Sequence, residues 1–149
     1  MIDHRLLNHQ EANVSDAPYQ VAHVSEIETP AGVRPGEAPW RAVRRHFGIG
    51  AFGIAAYVAE AAGDSFTGDH TEIDTQHEEL FYVASGRASI RVGGEPIEAA
   101  AGTFVYVPDP AVVRGATALE AGTTLLAVGG EPGKAFDVSQ WEREYFDGS

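Results

Sequence analysis

The chemistry of this chain of 149 residues starts from Glu79. It stands in the stretch HEELFYVASG, residues 77–86, where strand alternation puts Glu79, Phe81 and Val83 on one face. Glu78, Leu80, Tyr82 and Ala84 take the other face. A carboxylate in line with Phe and Val is costly to bury unless something pairs with it. Nine of the ten basic residues are arginines. Arg114, or one of Arg41, Arg44 and Arg45, can neutralise Glu79 through a bidentate contact. Glu79, Phe81 and Phe104 or Tyr106, with Arg44 and Arg114, would then line a mixed pocket suited to a small acidic or aromatic molecule.

Other chemistries lack their residues. There is no cysteine, hence no disulfide framework, thiolate metal site or cysteine nucleophile. No glycine-rich loop follows a strand and opens a helix, and Ser85, Ser89 and Ser139 sit in no nucleophile elbow. His4, His9, His23 and His46 lie apart and read as surface or satisfied core. The balance of 22 acidic against 10 basic residues, a formal charge of −12, argues against nucleic acid or an anionic membrane as partner. No apolar run approaches a signal peptide or a membrane span, so a cytoplasmic protein is the expectation.

The elements that must position Glu79 read as strands. Seventeen glycines and eight prolines among short apolar runs point to an all-β chain with many turns. Residues 1–17 are a polar, flexible arm, and 18–149 form one domain. Residues 19–24 suit a first strand, 29–39 a connecting loop, and 40–47 a partly alternating stretch. Residues 51–62, alanine-rich but carrying Phe52, Ile54, Tyr57 and Val58, are assigned to strand over helix. Residues 63–76 read as a polar loop. Residues 87–92 are expected to pair back on the Glu79 strand, with Gly93-Gly94 as a two-residue turn. Further strands are expected over 97–101, 102–107, 112–118 and 123–128. In the tail, Ser139 can cap a short helix or strap that packs Trp141, Tyr145 and Phe146.

Two stretches resemble the signature motifs of the cupin superfamily. In the first, Glu79, six residues and Gly86 match the second half of the family's pattern; the paired histidines of the first half are not both present. One register takes His70-Thr71-Glu72 for the pair, with a lengthened loop before Glu79. Another keeps the usual spacing and puts Glu72 and Asp74 where the histidines belong. In the second motif Gly102, five residues and Pro108 match, Pro110 replaces a glycine, and Val113, beside Arg114, stands in the histidine's place. The resemblance implies a single small jelly-roll β-barrel with its motif core at about residues 63–129, extra N-terminal strands over 40–62, and a homodimer built through one sheet.

It also implies two readings of function. In the first, the chain is a small-molecule-binding or accessory cupin whose three-histidine, one-glutamate metal site is incomplete, with no cofactor. In the second, it is a metal-dependent cupin enzyme, an oxygenase or isomerase of a small organic acid. There His70, Glu72 and Glu79 would hold one divalent ion and Arg114 would clamp the substrate carboxylate.

Overall fold

Among the residues described, 17–30 and 34–147 of this computed structural model, the chain runs through nine strands and two helices. The first four strands are β1 (Trp40–Arg41), β2 (Gly53–Val58), β3 (Ser65–His70) and β4 (Glu78–Ser85). There follow β5 (Arg87–Val92), β6 (Glu95–Ala100), β7 (Phe104–Val107), β8 (Arg114–Ala118) and β9 (Thr124–Gly130). Helix α1 (Val43–Phe47) lies between β1 and β2, and α2 (Gln140–Asp147) is the last of the described elements. The arm expected over residues 1–17 lies outside the described residues except for its last position.

The strands form two antiparallel sheets, β1-β2-β9-β4-β7 and β3-β8-β5-β6, the architecture of a jelly roll. They close on each other because each offers one apolar face. Phe81, Val83 and Leu125 from the first meet Ala88, Ile90 and Ala116 from the second, all fully buried. Small alanines on one side let the large side chains of the other fill the space without strain. Glu79 therefore stands on the core face, as its alternation with Phe81 and Val83 requires.

Several expectations are corrected. Residues 87–92 do not pair with β4; β5 pairs with β6 and β8 in the opposite sheet. Only Gly86 separates β4 from β5, too little chain for a hairpin, and its φ of +73° swings the chain across the sandwich instead. Gly93-Gly94 does form a two-residue turn, joining β5 to β6 with Val92 opposite Glu95. The stretch 63–76 is not all loop, since β3 occupies its first half. Its sequence is polar because β3 is an edge strand that sends only Phe66 into the core. Residues 19–24 join no sheet. Val21 is exposed, and the chain enters a 3-10 turn at Val24, where the His23 ring accepts from the Ser25 N–H and Glu26 accepts from the His23 N–H. Residues 40–47 hold a strand for two positions only, and α1 follows until Gly48 ends it at φ +70°.

Strand β2 lies within 51–62, as its β-formers indicate. At the tail, the Ser139 carbonyl accepts the N–H of Arg143, which starts α2 where the sequence places a cap. The helix lays Trp141 (4.7 Å), Phe146 (5.6 Å) and Tyr145 (5.8 Å) around the Trp40 ring. The Arg45 guanidinium stacks 4.1 Å from the Phe146 centroid. Among the described residues no helix is long and apolar enough to cross a membrane.

Candidate functional site

Glu79 opens the core face of β4, opposite Val107 on one side and Gly129 on the other. Gly129 has to be small: a Cβ there would come within 2.9 Å of the Glu78 carbonyl. The partner that the buried carboxylate needs is Arg114, whose Nη1 donates to Glu79 Oε1 at 3.0 Å. Arg114 is 0 % exposed. Its Nε donates to the Val112 carbonyl (2.9 Å) and its Nη2 to that of Asp109 (2.8 Å), so the loop before β8 wraps the guanidinium. The contact is through one nitrogen, not the bidentate fork expected.

Across the β3–β8 ladder, Arg114 is the register partner of His70. Bulges in β3 between Ser65 and Thr67 and between Thr67 and His70 re-aim its end, a common device beside functional sites. The chain then turns back over residues 72–76. Gln76 there is the one described non-glycine residue with positive φ (+59°), and its N–H is tied to the Glu72 carbonyl at 2.7 Å. The Glu72 N–H is anchored on the Pro110 carbonyl at 2.8 Å. This carries Glu72 back beside His70, with Nε2 to Oε2 at 3.0 Å, while Thr75 Oγ1 donates to Glu72 Oε1 at 2.8 Å.

The electrostatics follow from these contacts. His70 Nδ1 lies 2.8 Å from the Gly68 carbonyl, which can only accept, so Nδ1 carries a proton. Nε2 then faces a carboxylate. The hydrogen bond to Glu72, ahead of the opposing effect of burial, raises the imidazole pKa and favours the cation. Burial pushes the Glu72 carboxyl up, but hydrogen bonds from His70 and Thr75 and the nearby His70 and His77 outweigh it and hold the group below its ordinary value. Glu79 goes the other way. Burial first, then the Glu72 charge, raise it despite the pull of Arg114. Donor atoms of His70, Glu72 and Glu79 all lie within 4.8 Å of one another, a spacing that a shared metal ion would require.

The cluster forms part of the wall of a cavity of about 680 Å³. Trp40, Tyr57, Phe66, Phe136, Trp141 and Tyr145 supply aromatic surface, so α2 closes one side. Burial, and then the charges of Glu79 and Glu72, push the Tyr57 hydroxyl well above the usual phenol range, which keeps it a neutral hydrogen-bonding group.

Of the residues expected at a pocket, Glu79 lines the cavity and the others do not. Arg114 is sealed beneath Glu79 and cannot reach a substrate carboxylate. Phe81 is fully buried between the sheets. Tyr106 is paired with Leu80 on the outer face, where its hydroxyl donates to Glu78; Phe104, also outward, stacks on Tyr82 at 4.4 Å. Arg44 turns to α2, where its Nη2 meets Glu142 Oε2 at 2.6 Å. The strand period explains the outward pair, because Val107 and not Tyr106 shares a face with Glu79. His77, not counted as a ligand from sequence, lies beside the group: its Nδ1 is 3.9 Å from Glu72 Oε1 and its ring faces Phe136 at 5.7 Å. Its place before the glutamate pair was the one available signal. Phe136, in a glycine-rich tail, had none.

Comparison with known proteins places these motifs. The family model described as the cupin domain matches residues 59–114. Among solved structures, a candidate sugar phosphate isomerase from Acidithiobacillus ferrooxidans superposes with a TM-score of 0.59 at 24% identity, over 85% of this chain and 76% of that one. A cupin protein from Bacteroides fragilis gives 0.56 at 18% identity, over 76% and 93%. An RmlC-like cupin from Shewanella frigidimarina gives 0.55 at 14%, over 80% and 93%. At these identities the likeness is one of fold. No curated protein sequence matches the chain.

Proposed function

We propose, from the cupin-domain match over residues 59–114 and the jelly-roll fold, that this chain is a cupin that binds a small organic molecule in the cavity beside His70, Glu72 and Glu79, without the three-imidazole metal centre. The observation that carries this reading is Arg114. A guanidinium fixed 3.0 Å from Glu79 supplies, from within the protein, the positive charge that a metal ion would otherwise bring to the buried carboxylate. Val113, the residue at the family's histidine position, has no ligand atom in its side chain. The cavity volume lies within the range of small-molecule sites, and its wall combines apolar rings with a few convergent polar groups. We further propose a homodimer packed through the outer face of the five-stranded sheet, where Phe104 and Tyr106 are exposed.

A second reading, a metal-dependent enzyme, has its own observation in favour. The donor atoms of His70, Glu72 and Glu79 converge, and a histidine that gives Nδ1–H to a carbonyl turns its Nε2 inward, as metal ligands do. An ion held there would polarise a bound oxygen atom. Thermal unfolding separates the two readings. With Arg114 as the resident cation, EDTA or millimolar MnCl₂ should each move Tm by less than about 1 °C. A site that binds the ion hundredfold below its free concentration would instead raise Tm by about 5–10 °C. That result would favour the enzyme.

A further inference from the structure

The charges around the cavity are distributed unevenly. Among the described residues six carboxylates line it, and Arg34 is the one lysine or arginine there. Arg34 lies at the exposed rim and is paired with Glu37 at 3.4 Å. Three arginines outside the lining are engaged with carboxylates that belong to it: Arg114 with Glu79, Arg44 with Glu142 at 2.6 Å, and Arg91 with Asp69 at 2.8 Å. His70 spends both ring nitrogens, on the Gly68 carbonyl and on Glu72. Asp74, exposed and lining the cavity, has no ion-pair or hydrogen-bond partner for its side chain among the described residues.

From this arrangement we infer that the cavity selects a ligand with hydrogen-bond donors, hydroxyl or ammonium, and turns away phosphorylated and carboxylated molecules. The inference rests on the reading of the cavity as a small-molecule site and names its ligand class. An anion entering would meet carboxylates with, among the described residues, no free guanidinium or ammonium to pair with, and would lose its hydration without compensation. A hydroxyl or ammonium meets acceptors instead. The Glu72 and Glu79 side chains are 17 % and 16 % exposed, so each retains some surface to accept a donor. The aromatic wall complements either kind of donor, stacking on apolar C–H surface or facing an ammonium with its rings. This replaces the acidic ligand expected from sequence, which depended on Arg44 and Arg114 pointing into the pocket.

Both tryptophans of the chain, Trp40 and Trp141, line the cavity, so their emission reports on its contents. Two matched series test the selection: glucosamine, glucose and glucose 6-phosphate, and 2-phenylethylamine, 2-phenylethanol and phenylacetate. Within whichever series moves the emission, the amine or alcohol should bind at least about tenfold tighter than the anion. Asp74→Lys, at an exposed position, should narrow that gap while leaving Tm unchanged. An anion that binds as tightly as its neutral counterpart would overturn the inference and leave the binding reading intact. No response to any of the six compounds would overturn the binding reading itself, and the inference with it.

Discussion

Replacing Arg114 with methionine is expected to destabilise the fold by about 3–5 kcal/mol, lowering Tm by roughly 6–20 °C. The side chain is fully buried and holds three acceptors at once: the Glu79 carboxylate and the carbonyls of Asp109 and Val112. Methionine fills similar space but leaves all three unpaired, and Glu79, already raised by burial and by the charge of Glu72, loses its counter-ion. The signature of this mechanism is in the double variant. Glu79→Gln in the Arg114→Met background should restore part of the loss, because a neutral amide tolerates the site better than an unpaired carboxylate. Chemical denaturation of the four proteins reads the coupling. Strictly additive effects would mean that the guanidinium holds only the loop, and that the pair is not what neutralises Glu79.

Gly86→Ala is the second large effect, about 2–5 kcal/mol, from two independent causes. The backbone there sits at φ +73°, a region that L residues enter at a cost, and a Cβ would lie 2.2 Å from Thr123 Oγ1 and 2.8 Å from Thr123 Cα. Thr123 cannot retreat. It is fully buried, and its hydroxyl receives the Arg87 N–H while donating to the Glu120 or Arg87 carbonyl. Since Gly86 is the single residue between β4 in one sheet and β5 in the other, the clash would strain that crossing itself. A loss below about 1 kcal/mol by urea denaturation would show that the crossing has slack.

What sequence revealed and what it hid have physical reasons. Period-2 alternation made β4 and the inward aim of Glu79 legible, because a strand buried on its core face leaves no other register. The demand for a cation beside a buried carboxylate named Arg114 among its candidates. It could not choose between Arg114 and Arg44, since that choice depends on strands far apart in sequence. Gly86 looked like a hairpin turn because the crossing between sheets is a tertiary fact; one glycine serves both. β3 was hidden by its polarity, which edge strands share with loops, and the bulges that aim His70 leave no trace in composition. The aromatic wall from Trp141 and Tyr145 was foreseen as packing, but not as one side of a cavity.

Native mass spectrometry of the protein, purified without added metal or chelator, addresses the central claim most directly. A guanidinium in the place of a metal, beside a ligand cavity, predicts a mass of two chains with no metal increment and with a removable organic adduct below about 1 kDa. A mass increment of one transition-metal atom per chain, lost in Glu79→Ala, would contradict the account and make His70, Glu72 and Glu79 a metal site.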